Sequence, residues 1–470
     1  MTQFISTRGG GDPQSFEDVL LAGLAPDGGL YVPTQWPQID VDTLKGKSYI
    51  EIADAVMFPF VEGSIERDDF LAILNDTYGS ENFRSDAVTP LHHLHDNLYI
   101  MEQFHGPTIA FKDVALQLLG RLFDHTLTRR GENITIVGAT SGDTGSAAIE
   151  GCRHSEHIDI FILHPKGRVS DVQRKQMTTI DAPNVHNIAL DGTFDDCQNM
   201  VKAMFNDPEF RGDVNLSAVN SINWARIMAQ IVYYFTTALT LGAPEKEVSF
   251  VVPTGNFGNV FAAYCARKMG LPIKVLCVAS NQNDILTRFF EGGSMSMGDA
   301  HATLSPSMDI QISSNFERYL FDALGRDADA LRQFMETFKA DGDAALDKDA
   351  FIKAGAEFTA VRTDDSETLS IIKDVYDKSG YVLDPHTAVG MKGAADLADK
   401  ESGAVVLLAT AHPAKFPDAV EQAIGARPAL PQHLSDLFDR KEIMDDLPND
   451  LKIVQNFVQR HSHVSQKDAA

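Results

Sequence analysis

The sequence has 470 residues, of which 44% are hydrophobic and 23% charged, an ordinary composition for a globular protein. The formal net charge of −26 argues against a protein that binds nucleic acid or anionic membranes, because both partners are negatively charged. Four scattered cysteines without a CxxC pair predict reduced thiols and a cytoplasmic location. Neither a secretory signal nor an apolar run approaching the roughly 20 residues of a membrane span is recognisable.

The pattern of apolar residues changes along the chain. Residues 1–95 carry helical patterns such as "SYIEIADAVMFPFV" and are predicted to form a mostly helical domain. From about residue 98 to 280 strands and helices alternate, which indicates right-handed βαβ units with buried, largely parallel sheets. The predicted strands are "NITIVGA", "IDIFILHP", "VHNIALDG", "VSFVVP" and "IKVLCVAS".

The second half of the chain is predicted to complete an α/β fold. Residues 281–375 are less regular and are interpreted as an insertion followed by helices, and "GAVVLLATA" is a last strand. These patterns predict a small α/β domain at 96–210 and a large α/β domain at 211–430. C-terminal helices and a polar tail are predicted for 431–470.

Two loops that lead from a strand into a helix are rich in glycine and small polar residues. The first, "TSGDTG", follows "NITIVGA", and the second, "TGNFGN", follows "VSFVVP". Unpaired N–H groups and the positive end of the helix dipole make such loops anion-binding sites. The P-loop lysine and the GxGxxG spacing are both missing from them, which disfavours a nucleotide-binding protein.

Lys112 lies between the apolar run 109–111 and the helical pattern "VALQLLGRLF". Burial of this kind favours the neutral amine over the ammonium form, and a neutral amine is the nucleophile that an aldehyde requires. Two anion-binding loops, an apolar-flanked lysine and an α/β core together predict a phosphorylated cofactor that Lys112 binds as a Schiff base.

At these residues the chain resembles the threonine synthase family. Members of this family are pyridoxal-phosphate enzymes of fold type II, which is also called the tryptophan-synthase-β type. The resemblance implies two domains with parallel or mixed sheets, a helical N-terminal domain and pyridoxal 5'-phosphate as cofactor. No metal is expected, because no cysteine or carboxylate spacing near the histidines of "LHHLHD" completes a zinc site. Its motifs run in order along nearly the whole chain: "STRG", "LLAGLAPDGGLYVP", "FHGPTIAFKD", "SGDTGSAA", "HPKGRVSDVQRKQM", "SINWARI", "PTGNFGN", "TLSPSMDI", "SSNFERYL", "LDPHTAVG" and "LATAHPAKFP".

The resemblance implies roles for individual residues toward the cofactor. Lys112 would form the Schiff base and act as the catalytic acid and base, Phe111 would stack on the ring, and Thr410 would meet the pyridine nitrogen. Asp143 would be a cofactor-binding residue near the 3-oxygen of the ring. It replaces an asparagine that is common in the fold type, so its partner and its protonation state are left open. The cofactor phosphate would be bound by Gly255, Asn256, Phe257, Gly258 and Asn259.

The resemblance also implies two anion-binding sets for the substrate, O-phospho-L-homoserine. The residues expected to bind its carboxylate are Ser141, Gly142, Thr144 and Gly145. The residues expected to bind its phosphate are Asn220, Ser221 and Arg226, since arginine offers paired planar donors.

The implied reaction converts O-phospho-L-homoserine and water into L-threonine and phosphate, by γ-elimination followed by addition of water at Cβ. A related phospho-lyase that yields a 2-oxo acid, ammonia and phosphate would share Lys112 and both loops, so the sequence separates the two poorly. A catalytically silent protein that only binds the cofactor is disfavoured by the retention of these parts. No nucleic-acid or membrane partner is expected, and the chain is expected to be a monomer or weak homodimer.

Overall fold

The computed structural model describes residues 1–464, so the end of the predicted polar tail, 465–470, lies outside the described residues. The chain forms two compact units. The first unit contains residues 1–111 and 221–428, and the second contains residues 112–220 and the chain from 429 onward. The chain therefore enters the second unit at Lys112. The four-part division into domains remains a prediction.

The described residues form strands and α-helices in alternation along most of the chain. The strands are β1 (Phe4–Ser6), β2 (Tyr31–Pro33), β3 (Leu91–His95), β4 (Leu98–Glu102), β5 (Ile134–Ala139), β6 (Ile158–Pro165), β7 (Val185–Asp191), β8 (Leu216–Ser217), β9 (Val248–Pro253), β10 (Ile273–Ser280), β11 (Ser294–Ser296), β12 (Asp343–Ala345), β13 (Thr359–Arg362), β14 (Ala404–Ala409) and β15 (Asp445–Pro448). The helices are α1 (Phe16–Ala22), α2 (Tyr49–Val61), α3 (Arg67–Tyr78), α4 (Lys112–Arg130), α5 (Asp143–Cys152), α6 (Asp171–Thr178), α7 (Phe194–Phe205), α8 (Pro208–Asp213), α9 (Trp224–Thr240), α10 (Gly258–Lys268), α11 (Ile285–Gly292), α12 (Phe316–Ala323), α13 (Ala328–Asp341), α14 (Lys348–Gly355), α15 (Asp365–Ser379), α16 (Pro385–Lys400), α17 (Pro417–Ile424) and α18 (Leu451–His461).

The first unit is built on a six-stranded sheet in the order β13-β10-β9-β14-β4-β3. All neighbouring strands are parallel except β3 and β4, which are antiparallel. Strand β9 is buried along its whole length, because helices cover both faces of a largely parallel sheet. On one face Val251 packs with Ala388 and Val389 of α16, and on the other Phe250 packs edge-on against Tyr234 of α9.

The N-terminal region of the first unit packs against the start of α9. The indole of Trp224 is fully buried, with its ring centroid 5.6 Å from that of Phe4 and 5.4 Å from that of Phe60. Helix α2 begins with a reciprocal capping box between Ser48 and Glu51, which satisfies two N–H groups at its first turn. Besides α1 to α3, this region contains the antiparallel pair β1 and β2.

The second unit is built on a five-stranded parallel sheet in the order β15-β7-β6-β5-β8. Phe161 and Leu163 of β6 share a core with Cys197 of α7 and Val454 of α18. The predicted α/β class is confirmed, with a six-stranded mixed sheet, a five-stranded parallel sheet and the two antiparallel pairs β1–β2 and β11–β12. No helix in residues 1–464 combines the length and the apolar character needed to cross a bilayer.

Candidate active site

The segment that precedes Lys112 is held against the chain that follows β14. The N–H of Phe111 donates to the carbonyl of Thr410 over 2.8 Å, and the ammonium group of Lys415 donates to the carbonyl of Thr108 over 2.7 Å. Lys415 is fully buried, and charged hydrogen bonds are strong in such surroundings. Helix α4 begins directly after this segment.

The amine of Lys112 lies against a buried carboxylate. Its Nζ donates to Oδ2 of Asp143 over 3.1 Å, and Nε2 of Gln173 donates to Oδ1 of the same carboxylate over 2.8 Å. Only 8% of Lys112 and 4% of Asp143 and of Gln173 are exposed. Both partners are donors, so both carboxylate oxygens act as acceptors, which favours the ionised form of Asp143.

A close crossing of α4 and α5 places Lys112 and Asp143 side by side. A Cβ on Gly120 would collide with the carbonyl oxygen of Gly151, and a Cβ on Gly151 would collide with the backbone of Leu116. Gly120 and Gly151 each lie eight residues after the first residue of their helices, or about 12 Å along the axis. Lys112 and Asp143 therefore lie at the same distance from the crossing along their helices, and the crossing sets the separation of their side chains.

The loop 140–145 that leads into α5 is organised around the hydroxyl of Thr140. Its Oγ1 accepts hydrogen bonds from the N–H groups of Gly142 and Gly145, both over 2.9 Å. Two of the N–H groups expected to bind the substrate carboxylate are therefore bonded within the loop. The hydroxyl groups of the predicted residues Ser141 and Thr144 belong to half-buried side chains.

The loop 254–259, which leads into α10, turns through Phe257. This residue has φ of 62°, a left-handed conformation that is uncommon outside glycine, and it caps α10 without a side-chain hydrogen bond. Its ring is buried in an aromatic cluster that fixes this strained turn. The cluster is formed by Phe290, Phe316, Tyr319 and Phe358. The turn leaves the first N–H groups of α10 as potential anion donors.

The backbone of Gly255 is covered by the loop that carries Ser307. A Cβ on Gly255 would lie 2.8 Å from the carbonyl oxygen of Ser307. The N–H of Ser307 donates to Nε2 of His386 over 3.2 Å, while Nδ1 of His386 lies 3.0 Å from Oδ1 of Asp384. Because Nε2 accepts, the ring proton belongs on Nδ1, and Asp384 holds that tautomer. His386 therefore holds the loop that carries Ser307 in place through its backbone.

The side chain of Asn259 belongs to a buried polar network. Its Oδ1 accepts from the hydroxyls of Tyr233 and Tyr234, and its Nδ2 donates to Oε1 of Gln103 over 3.3 Å. Burial raises the pKa of both tyrosines, so they remain neutral donors. The side chain of Asn259 is therefore held by this network, while its backbone N–H is in the first turn of α10.

Asn315 connects the loop at 255–259 with the segment before α9. Its Nδ2 donates to the carbonyls of Ser221 and Asn256, both over 3.1 Å, and its own N–H donates to the Asn256 carbonyl over 3.1 Å. One side chain thus fixes the backbone of two segments that were both predicted to bind phosphate groups.

Arg318 in turn holds Asn315. Its guanidinium is fully buried and donates to Oδ1 of Asn315 and to the carbonyls of Tyr31 and Ile222. Burial lowers the pKa of Arg318 to about 9, so the group remains cationic near neutral pH. A positive charge therefore lies two hydrogen bonds away from the carbonyl of Asn256.

The predicted ligands of the substrate phosphate differ in their exposure. Arg226 is in the first turn of α9 and is buried, and burial lowers its pKa to about 10, which leaves it cationic near neutral pH. Ser221 is half-buried and Asn220 is exposed. Asn223 caps α9 by accepting from the N–H of Ala225 over 3.1 Å.

Thr410 is 6% exposed, and within residues 1–464 its hydroxyl has no hydrogen-bond partner. A hydroxyl with an unused donor fits a contact with a ring nitrogen. Phe111, the predicted stacking residue, is half-buried.

Several residues of this site were not predicted. Gln173 lies three residues after Ser170 in "SDVQ", which is the signature of a capping box at a helix start. That signature predicts a side chain bonded to the N–H of Ser170, whereas Gln173 reaches Asp143 instead. Four other residues of the site were not predicted, although each lies in a motif quoted above: Thr140, Asn315, Arg318 and Lys415. Thr140 bonds within its own loop, whereas the other three bond to residues far along the chain.

The sequence matches the family described as "Pyridoxal-phosphate dependent enzyme" over residues 83–411. This match covers the lysine, both loops and Thr410, and it defines the chain as a pyridoxal-phosphate-dependent enzyme of fold type II. Residues 3–78 match "Threonine synthase N terminus", and residues 387–458 match "Threonine synthase, C-terminal".

Threonine synthases of other organisms are similar to this chain over nearly its full length. Threonine synthase of Pseudomonas aeruginosa is 55% identical over 98% of this chain and 99% of its own. A pyridoxal-phosphate-bound threonine synthase from Brucella melitensis has a TM-score of 0.96 and 53% identity, over 98% of this chain and 100% of its own. The yeast threonine synthase structure has a TM-score of 0.93 and 41% identity, with 98% of both chains covered. The chain belongs to the threonine synthase family.

Proposed function

We propose that the chain converts O-phospho-L-homoserine and water into L-threonine and phosphate, the last step of threonine biosynthesis. The observation that carries the proposal is the buried Lys112 amine, 3.1 Å from the Asp143 carboxylate at the start of two closely crossed helices. An amine in this position can accept a proton from the substrate and return it at a neighbouring carbon. While the amine carries this proton, the Asp143 carboxylate compensates its positive charge.

The residues present fit pyridoxal phosphate. The space beside Gly255 has no room for a Cβ, and α10 begins without a side-chain cap, as expected of a loop that accepts a phosphate. When bound, the cofactor supplies an aldehyde for Lys112 and a conjugated ring that withdraws electrons from the substrate carbons. The backbone of Gly255–Asn259 would hold its phosphate, and the Thr410 hydroxyl would contact its ring nitrogen.

The cofactor loop supports a first prediction. Gly255→Ala would bring a methyl group to 2.8 Å from the Ser307 carbonyl, so one of the two loops must move. We expect a loss of about 1–3 kcal/mol in the free energy of unfolding. We also expect about tenfold weaker binding of pyridoxal phosphate by the apoprotein, since misplaced donors lose charged hydrogen bonds. Chemical denaturation and cofactor titration measure the two effects.

Gly292→Ala is the matched control, because Gly292 ends α11 in the same unit and a Cβ there meets no atom within 4 Å. It should bind the cofactor as the unaltered chain does. Equal cofactor affinities for both variants would contradict the assignment of Gly255 to the cofactor phosphate.

For the substrate, we assign the carboxylate to Ser141, Gly142, Thr144 and Gly145 and the phosphate to Asn220, Ser221 and Arg226. Because Thr140 occupies two N–H groups of the first set, the hydroxyls of Ser141 and Thr144 would provide the main side-chain donors. The buried guanidinium of Arg226 supports the second assignment, since a buried cation interacts strongly with a doubly charged phosphate.

The products decide between this reaction and the phospho-lyase alternative. We expect purified enzyme with O-phospho-L-homoserine to release threonine and phosphate in equal amounts, measured by amino-acid analysis and a phosphate assay. Release of 2-oxobutanoate and ammonia without threonine would overturn the proposal. Phosphate release by an Arg226→Met variant should require a higher substrate concentration, which separates substrate binding from chemistry.

We further propose a cytoplasmic enzyme with a small-molecule substrate, without a nucleic-acid or membrane partner, that is a monomer or weak homodimer. The net charge of −26 and four buried cysteines support this proposal, and burial raises the pKa of each thiol. Sedimentation over a range of protein concentrations would test the oligomeric state.

A further inference from the structure

We propose that Gln173 is a positioning residue, which keeps the carboxylate of Asp143 ionised and directed at the amine of Lys112. The inference rests on the proposed function, because it assigns a role to Asp143 beside the catalytic amine. Gln173 is not expected to touch the substrate or the cofactor. It acts through the hydrogen bond between its Nε2 and Oδ1 of Asp143.

The orientation of the Gln173 carboxamide follows from its other hydrogen bonds. The backbone N–H of Gln173 donates to Oγ of Ser170 over 3.3 Å, so the hydroxyl oxygen is the acceptor there. The hydroxyl hydrogen is then directed to Oε1 of Gln173, 3.0 Å away. With Oε1 committed as an acceptor, the NH₂ group must face Asp143 as a donor.

The position of the Gln173 side chain is also related to the glycine at position 142 in the loop 140–145. Gly142 has φ of 137°, and a Cβ on it would collide with the carboxamide of Gln173. The side chain of Gln173 therefore passes directly over this residue on its way to Asp143. Glycine at 142 is favoured by its backbone conformation and by the side chain that crosses it, independently of any contact with substrate.

Helix α6, which carries Gln173, is itself anchored within the second unit. Its charged residues Arg174 and Lys175 pair with Glu442 at 2.9 and 3.4 Å, and Thr178 donates to the same carboxylate. These ion pairs lower the pKa of Glu442 to about 2. The positive charges of α6 are thus paired with Glu442, and Gln173 reaches Asp143 as a neutral donor.

The proposal is tested in the apoprotein by the rate at which acetic anhydride modifies Lys112, followed by mass spectrometry across a range of pH. In Gln173→Met the carboxylate loses the donor that holds it in its orientation toward Lys112, so it is free to turn away from the amine and stabilises the Lys112 ammonium group less. We expect the pH profile of modification to shift to lower pH, with roughly three- to tenfold faster modification below its midpoint. Gln173→Asn, too short to reach Asp143, should give the same shift and covers the case in which Gln173→Met fails to fold.

Gln176→Met is the matched control, with the same replacement at a buried position one turn further along α6. It should keep the profile of the unaltered chain. In the holoenzyme, both Gln173 variants should lose about tenfold in kcat, the worth of one hydrogen bond to a charged group, with KM nearly unchanged. Profiles identical to the unaltered chain in both Gln173 variants would overturn the proposal. Because the profile is measured without cofactor or substrate, this outcome is distinct from failure of the proposed reaction.

Discussion

Lys112→Ala is expected to lower turnover of O-phospho-L-homoserine by at least about 10³-fold, because one residue supplies both the nucleophilic amine and the proton transfers. The fold should be retained, since alanine is well tolerated at the start of a helix. Borohydride reduction followed by peptide mass spectrometry should find a pyridoxyl group on Lys112 of the unaltered chain and none at this position in the variant.

A surface lysine of the same unit provides the control for this result. Lys202 is exposed on α7, and Lys202→Ala should retain both full turnover and the modified peptide. Substantial turnover by Lys112→Ala, or a pyridoxyl group on a different lysine of the unaltered chain, would show that the catalytic amine lies elsewhere.

Gly120→Ala is expected to have the second largest effect, and it acts from a distance. The new methyl group would collide with the Gly151 carbonyl, a backbone atom that cannot move without moving α5. We expect a net loss of about 2 kcal/mol in the free energy of unfolding, since overpacking exceeds the gain in helix propensity. Displacement of Lys112 relative to Asp143 should also lower kcat by about 100-fold. Denaturation curves and steady-state kinetics measure these changes.

The matched control for this prediction is Gly212→Ala in the helix α8 of the same unit, where a Cβ meets no atom within 4 Å. It should be neutral or slightly stabilising, and its kcat should not change. If Gly120→Ala were equally neutral, the crossing of α4 and α5 would not control the geometry of the amine.

The sequence predicts the buried strands well and the edge strands poorly. Strands such as β6 and β9 are buried and rich in apolar residues, so their pattern alone locates them within a residue. Strand β15 reads "DDLP", with two acidic residues and a proline, and it forms because its backbone pairs with β7. That pairing depends on a partner more than 250 residues away, which no local pattern encodes.

The same distinction applies to the site. Lys112 and the two glycine-rich loops lie at strand and helix ends that the sequence marks, and the family resemblance gives their roles. Gln173 and Asn315 contribute through side-chain hydrogen bonds to residues on other elements, which no local sequence pattern encodes. The capping-box signature at Ser170 even favours a different partner for Gln173.

The fully enclosed guanidinium of Arg318 has a consequence for how the enzyme responds to its medium. Dissolved ions reduce the attraction between charges on a protein surface, but they cannot enter the space between a buried charge and its neighbours. An enzyme whose exterior is strongly acidic repels a doubly anionic metabolite at long range, and added salt weakens that repulsion. If the loop at Asn256 binds a phosphate as proposed, the attraction exerted by Arg318 from inside persists, and moderate salinity should assist capture of phosphorylated molecules.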